Sequence, residues 1–324
     1  MQGKCWNCGK MNEEITKINF ITKSGEKFTI DKIVMDEYLE FIKTSTIKNM
    51  LKFSWRRLSV ISFCRFLIPS FLRRIFGMKT SIGENMLIAL IPSVKKPKDI
   101  IRLEVFIGDR VLNMDSSVIN LISIFIGMGQ VIHSNQYNLN EENVKDKIVI
   151  DAGANNGDFS IFAAIMGAKM VYAFEPVTST ANALEKNVKL NNLQDKITVV
   201  NKGLGDKNYS SEVFSKYAGD GGATIGSPVS KDAKPQKVEV VKLDDFLSDN
   251  EIDSVGFIKM DTEGFEEKIL IGAKETIRLF KPILSFSAYH NESDKEVLPK
   301  LVKSIRKDYK IDLNTFSEEV FYCY

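Results

Sequence analysis

Asp151, Gly153 and Gly157 follow an apolar run in the segment IVIDAGANNGDFSIF, residues 148–162, a spacing suited to holding a nucleotide where a strand turns into a helix. Gly153 permits a sharp turn that presents backbone N–H groups, and Gly157 lets the helix close on the strand. The pattern is D-x-G-x-x-x-G rather than G-x-G-x-x-G, with Asn155 where a dinucleotide fold places its second glycine. That departure ranks an NAD oxidoreductase last. An acidic side chain at the strand end suits an ammonium better than a phosphate, which points to S-adenosylmethionine (SAM), whose amino acid end is zwitterionic and whose centre is a sulfonium. Gly153, Ala154, Asn155 and Gly157, with Phe159 in the first turn of the helix, are therefore expected to line the cofactor.

A second apolar stretch, KMVYAFEP at residues 169–176, ends in Glu175 and Pro176, with Glu175 18 residues beyond Gly157. A carboxylate there accepts hydrogen bonds from both ribose hydroxyls. Either signal alone also fits an ordinary turn or a solvated acid; the two together, at βαβ spacing, are specific. The end of the third strand, residues 201–206, is the expected neighbour of the adenine, with Gly203 giving backbone contact and Leu204 an apolar one.

Asp261 and Glu263 follow the apolar residues 257–260, and ligands in an open α/β sheet sit outside the carboxyl ends of strands, so both acids are expected in the crevice. Gly264 is expected to start the next helix, which the two carboxylates would also serve to cap. His290 ends the following apolar stretch, residues 282–288, beside Asp261. It is the candidate general base for taking a proton from a hydroxyl acceptor, with Asp261 and Glu263 as alternatives and a purely structural histidine as the plainer reading. Lys259 is out of character in an apolar strand; a buried ammonium must be paired, and Glu263 or Asp261 is its expected partner. Lys259 is counted with these three at the expected catalytic centre. The glycine-rich run at 218–226 reads as a flexible lid or a solvent loop.

These residues need a scaffold that brings strand ends together. Beyond residue 140 apolar strands and helical stretches alternate: strand 148–151, helix 157–166, strand 170–174, helix 178–190 and strand 197–200, then an irregular stretch 203–236. The series resumes with strands 238–241 and 255–260, helix 264–279, strand 283–288 and helix 294–306, and residues 309–324 close as one or two strands. Such alternation specifies a doubly wound α/β fold with a mostly parallel sheet.

With loop, acidic strand end and alternation in view, residues 135–324 resemble the FkbM-type family of SAM-dependent methyltransferases. Four further segments carry the resemblance: Asn187-x-x-x-Asn191-Asn192-Leu193; Val241-Lys242-Leu243-Asp244-Asp245-Phe246; the run from Ile258 through Lys259, Asp261, Glu263, Gly264 and Glu266, which is similar to the family's I-K-x-D-x-E-G-x-E signature; and Tyr289-His290. The resemblance implies a class I SAM-methyltransferase, Rossmann-like domain over residues 140–324, with O-methylation of a hydroxyl on a sugar, glycan or other small molecule as its activity. The family often has a carboxylate along the strand before His290, where this chain has Ser285 and Ser287. An N-P-P-Y tetrad suited to amino groups and a Pro-Cys nucleophile are both absent, and no nucleic-acid partner or metal is expected.

Residues 1–139 form the expected N-terminal extension of mixed α+β character, with a hairpin over 17–30, helical spacing over 31–42, strand–turn–strand over 100–114 around Gly108-Asp109, and an apolar helix or strand over 118–128. The net charge of +2 implies little, but the first 83 residues hold 15 basic against 7 acidic groups, leaving the remainder net negative. Residues 41–83 carry nine basic and no acidic residues interleaved with aromatics. Two readings stay open for them: a helical pair packed on the catalytic domain, or peripheral contact with an anionic membrane surface and a lipid-linked acceptor. Arg65 and Pro69 interrupt the apolar run, so it is not read as a membrane span. Cys5 and Cys8 resemble one knuckle of a zinc ribbon, yet no second pair follows, and a closed zinc site is not expected. The first 20 residues lack the apolar core of a secretory signal, which makes a reducing cytoplasm the expected compartment. A SAM-fold module that binds a partner without turnover is the alternative from a different class.

Overall fold

Residues 148–152 form a strand with every side chain buried, which is why it opens on three successive apolar residues, Ile148, Val149 and Ile150, rather than on an alternating pattern. This strand lies inside a sheet in a computed structural model that describes residues 15–22, 25, 27–31, 100–107, 110–117, 127, 130–131, 135–215, 222–226, 234–315 and 318–324. Packing divides the chain into two units, one over Glu13–Ile126 and one holding Gly127–Tyr324.

The described part of the first unit is a four-stranded antiparallel sheet of β1 (Ile15–Thr22), β2 (Lys27–Asp31), β3 (Ile100–Ile107) and β4 (Arg110–Ser117), in the order β2-β1-β3-β4. The hairpin expected over 17–30 is β1 paired with β2, from Lys17 opposite Asp31 to Ile21 opposite Lys27. The strand–turn–strand expected over 100–114 is β3 paired with β4. Ile101, Leu103, Val105 and Ile107 alternate onto the buried face of β3, with the less buried Arg102, Glu104 and Phe106 between them, the pattern of a sheet covered on one side.

The second unit begins before residue 140. The short helix α1 (Glu141–Val144) is capped by Asn140, whose side chain accepts from the Asn143 N–H at 2.9 Å. The chain then runs through β5 (Ile148–Ala152), α2 (Asp158–Ile165), β6 (Met170–Phe174), α3 (Thr178–Leu190), β7 (Ile197–Val200), β8 (Gly203–Leu204), β9 (Tyr209–Ser215), β10 (Thr224–Ile225) and β11 (Lys234–Val241). There follow α4 (Leu243–Asp249), β12 (Phe257–Met260), α5 (Glu266–Gly272), α6 (Lys274–Phe280), β13 (Ile283–Ser287), α7 (Asp294–Ile305), β14 (Ile311–Asn314) and β15 (Val320–Cys323).

Seven strands make the main sheet in the order β14-β15-β13-β12-β5-β6-β7. Neighbours from β13 through β7 run parallel, and β15 runs antiparallel to both β13 and β14. The chain winds outward from β5 to β7, then returns to start the other half at β12, beside β5. The strand order reverses between these two, so a crevice opens at their carboxyl ends. Ile150, Ala152, Phe174, Ile258, Met260, Leu284 and Phe286 join Leu243, Leu270, Ile277 and Leu298 of the helices in one core cluster. Each fully buried Leu, Ile or Phe contributes about 1.5–3 kcal/mol to holding these layers together.

Two expectations are corrected. The strand expected at 238–241 belongs to a separate four-stranded sheet, β10-β9-β11-β8, in which β11 pairs antiparallel with β9, a strand inside the stretch expected to be irregular. The helix expected over 264–279 is two helices. Glu263 and Gly264 have φ of 54° and 93°, which keeps them out of the helix, and α5 starts at Glu266. At its far end Asp244 of α4 accepts from the Glu275 and Thr276 N–H groups at 3.0 and 2.9 Å, fixing a new helix start after Ala273.

The Cys5/Cys8 pair, all of the helix expected over 31–42 except Asp31, which ends β2, the basic segment 41–83, all of 118–128 except Gly127, and residues 218–221 of the glycine-rich run lie outside the described residues. Among the described residues no helix is long and apolar enough to cross a membrane.

Candidate active site

The register that sets β12 beside β5 places Lys259 opposite Asp151. Asp151 is fully buried; Lys259 Nζ lies 3.0 Å from its Oδ1, and Ser160 Oγ donates to its Oδ2 at 2.6 Å. Lys259 Nζ also donates to the Gly153 carbonyl at 2.8 Å. Burial works against the lysine's charge, but the Asp151 and Asp261 carboxylates outweigh it and hold its pKa above the ordinary value. Two sequence expectations are thereby corrected. Lys259 pairs with Asp151 rather than with Glu263 or Asp261, and Asp151 faces this internal cation rather than the ammonium of a ligand. The pair is a clamp under the glycine loop: removing one member leaves a buried charge without its counter-ion, at a cost of about 3–5 kcal/mol. Lys259 thus positions the loop.

The loop above the clamp is shaped by two glycines. Gly153 has φ of 77°, and a Cβ there would stand 2.0 Å from the Asp261 carbonyl oxygen; Gly157 has φ of 91°, and its Cβ would meet Leu184 at 2.1 Å. Only glycine allows the loop to press against β12 on one side and α3 on the other. Asn155 adopts φ of 46° and turns its N–H onto Glu175 Oε2 at 2.9 Å, while Val177 N–H donates to Glu175 Oε1 at 2.9 Å. Each Glu175 oxygen keeps a further lone pair, which fits a ribose diol. Burial pushes the Glu175 carboxyl up to about 7, against the pull of those two N–H groups. Pro176 follows it, and Asn201 Nδ2 donates to the Glu175 carbonyl at 2.8 Å, so the ends of β6 and β7 are tied together. A Cβ on Gly203 would lie 3.9 Å from that of Pro176, which puts Gly203 at the same rim. Leu204 is elsewhere: its side chain is 4% exposed in the core cluster and is not free to meet an adenine. Ala154 and Phe159 are buried as well; Phe159 packs edge-on against Tyr137 at 5.8 Å and supports the loop from beneath.

Across the crevice Asp261 is a hub for hydroxyl groups. Its Oδ2 accepts from Tyr137 Oη at 2.8 Å, and its Oδ1 accepts from Ser287 Oγ at 2.9 Å and Tyr289 Oη at 3.2 Å. Burial opposes its ionisation, yet the Lys259 and His290 cations with the Tyr137 and Ser287 hydroxyls hold it below the usual carboxylate range. His290 sits in a cage of acids, with Nδ1 3.3 Å from Glu266 Oε1, and Nε2 3.7 Å from both Asp261 Oδ1 and Glu263 Oε1. Burial works against its charge, but these carboxylates dominate and raise its pKa to about 10. The acids around it thus favour the imidazolium form of His290. Glu263, a third exposed, is the carboxylate of the cage most open to solvent.

The structure brings together Asp151, Gly153, Asn155, Gly157, Glu175, Pro176, Gly203, Lys259, Asp261, Glu263 and His290 at the carboxyl ends of β5, β6 and β12 and their neighbours. Sequence reasoning missed Tyr137, Ser287 and Tyr289 as ligands of Asp261, and Glu266 as part of the cage. Glu266 had a signal, as the last acid of the I-K-x-D-x-E-G-x-E run; its Oε1 accepts from Thr262 N–H at 2.7 Å. Tyr137 had none, since it lies in no motif and in no periodic apolar run. The Asn187 and Asp244 segments are structural: Asn187 donates to the Asn156 carbonyl at 3.0 Å, holding α3 to the loop, and Asp244 caps α6.

A seven-stranded sheet with one reversed strand, a glycine loop at its switch point and a buried carboxylate just past the end of β6 define a class I SAM-dependent methyltransferase domain. Residues 151–311 match the Methyltransferase FkbM domain. The catalytic unit belongs to that family, with SAM as its cofactor. Among curated proteins the chain is similar to the 2-O-methyltransferase NoeI of Sinorhizobium fredii, 26% identical over 168 residues, which is 47% of this chain and 65% of that protein. It is also similar to protein arginine N-methyltransferase 6 of Danio rerio, 36% identical over 81 residues, 24% of this chain and 23% of that one. The matches thus span less than two thirds of these relatives' length. Among solved structures, a methyltransferase FkbM from Methylobacillus flagellatus KT is 22% identical, with a TM-score of 0.47 over 64% of this chain and 53% of that one. A putative methyltransferase from Streptococcus mutans in complex with SAH is 12% identical, with a TM-score of 0.37 over 59% of this chain and 96% of that one.

Proposed function

We propose that this protein is an O-methyltransferase that moves the methyl group of SAM to a hydroxyl of a sugar, glycan or other small molecule, with no nucleic-acid partner. The observation that carries the reading is the Asp261 carboxylate beside the switch point, already ringed by three hydroxyl donors and one-fifth exposed, a setting suited to a hydroxyl-bearing acceptor. The length of the match to NoeI supports oxygen as the acceptor atom, since the match to the arginine N-methyltransferase covers about half as much of the chain.

Bound SAM supplies an electrophilic methyl group on a sulfonium. The Gly153 loop and Glu175 hold the adenosyl moiety, and the Tyr137–Asp261–Tyr289 cluster orients the acceptor so that its oxygen lies in line with the methyl–sulfur bond. Transfer would leave the methyl–sulfur electron pair on sulfur, and Glu263 would take the hydroxyl proton and pass it to solvent. His290, protonated, steadies the carboxylates rather than taking the proton.

The test is transfer of label from radioactive methyl-SAM to a panel of glycans and small-molecule alcohols, with amines as controls. Labelled ethers support the reading; transfer to amines alone overturns the choice of oxygen, and SAM binding without turnover on any acceptor favours a silent binding module. A second reading places the acceptor on a membrane surface, favoured by the nine basic and no acidic residues of 41–83. Salt-sensitive binding to anionic vesicles, lost on truncation of 41–83, distinguishes it.

A further inference from the structure

Both ring nitrogens of His290 are buried without a hydrogen bond, although the side chain is only 8% exposed. The Oε2 atom of Glu266, a residue 1% exposed, is likewise buried without one. Three unsatisfied donor or acceptor positions on two touching side chains are uncommon in a folded interior, where a missing hydrogen bond costs about 1–3 kcal/mol. All of them lie in the cage with Asp261, and single ligand atoms of Asp261, Glu266 and His290 fall within 4.8 Å of one another. A metal bound at about 2.0–2.2 Å by nitrogen and oxygen ligands keeps those ligands about 3–4 Å apart, and His290 Nε2 stands 3.7 Å from Asp261 Oδ1, within that range. The positions are fixed by backbone: Asp261 follows β12, Glu266 opens α5, and His290 lies three residues beyond the end of β13. Three carboxylates, Asp261, Glu263 and Glu266, surround one imidazole, so the cage holds more negative charge than His290 neutralises.

We infer that Asp261, Glu266 and His290, whose imidazole gives up one ring proton to solvent as the ion binds, form a binding site for one divalent transition-metal ion of the Mn²⁺ or Zn²⁺ type. A mixed set of two carboxylates and one imidazole suits these ions better than Ca²⁺, which takes oxygen ligands alone. The role of the ion rests on the O-methyltransferase reading. Next to the acceptor position it binds the acceptor oxygen, lowers the pKa of its hydroxyl and removes the need for a strong protein base, with Glu263 still receiving the proton.

The test titrates Mn²⁺ into the full chain, reading free ion by electron paramagnetic resonance, for wild type, Glu266→Gln and His290→Gln. One saturable site per chain, weakened more than about tenfold in each variant, with nitrogen hyperfine coupling to bound Mn²⁺ in wild type that His290→Gln abolishes, is the expected result. No saturable binding, binding equally strong in both variants, or bound Mn²⁺ without nitrogen coupling overturns the site and leaves His290 as a counter-charge. Should a variant fail to fold by circular dichroism, the wild-type nitrogen coupling decides. SAH binding is measured separately on chelator-treated protein, so loss of the metal site and loss of the methyltransferase reading give different results.

Discussion

Asp151 and Lys259 show how the meaning of a residue changes once its neighbours are known. A strand-ending aspartate in a glycine loop reads as a ligand for an ammonium group; in the fold that ammonium is the protein's own, 3.0 Å away, and it reaches on to the Gly153 carbonyl. Lys259→Met should therefore destabilise the catalytic unit by about 3–5 kcal/mol in urea unfolding, and Asp151→Leu combined with it should recover most of the loss. A double variant as unstable as the single one would contradict the pairing. Glu175 carries a second consequence. Its carboxyl is pushed up to about 7 by burial, above its ordinary 4.5, so the folded protein holds a proton there that the unfolded chain has lost. The sign is that this group's contribution to stability is present below pH 4.5 and lost as pH rises through about 7. Accepting ribose hydroxyls favours the ionised form, so SAH affinity should rise between pH 6 and 8 and then level, with proton release on binding below pH 7. Calorimetry in buffers of different ionisation enthalpy measures that release, and an affinity independent of pH, or a pH step that survives in Glu175→Gln, would refute it.

At the scale of elements, the loop and the two halves of the sheet were legible because their signals are local. An apolar run closed by an acid, then glycine, then a helical stretch needs only neighbouring residues to be read, and β5, α2, β6, α3 and β12 stand close to where spacing puts them. The break between α5 and α6 was not legible, since residues 264–279 keep helical spacing throughout; the acceptor that ends one helix and starts the next is the Asp244 side chain, brought in from α4. Asp244→Ala should cost about 1–2 kcal/mol in thermal unfolding while leaving SAH affinity unchanged. An unchanged Tm would show that the cap does not hold this junction. Strand β9 was missed for a related reason: its polar alternation, with Val213 as its one buried residue, belongs to the small sheet β10-β9-β11-β8 rather than to a parallel core.

For the whole molecule, the site is a product of the switch point between β5 and β12, where the glycine loop, Glu175 and the acidic cage converge from separate stretches of chain. Tyr137 and Asp261, 124 residues apart, meet only because the fold closes there. A contact of that range leaves no trace in local spacing, which is why Glu175 was legible and Tyr137 was not. The charge state of His290 was hidden for the same reason: a lone histidine at a strand end reads as a base until three acids are seen around it. The central claim is that this crevice binds SAM through Glu175 and the Gly153 loop. The most direct measurement is calorimetric titration of SAH into wild type and Glu175→Gln at pH 8, with NADH as the control ligand. Micromolar SAH binding in wild type, weakened more than about tenfold by the substitution and absent for NADH, is the predicted result, tenfold corresponding to about 1.4 kcal/mol of lost hydrogen bonding. No SAH binding, or equal affinity in both proteins, would contradict it.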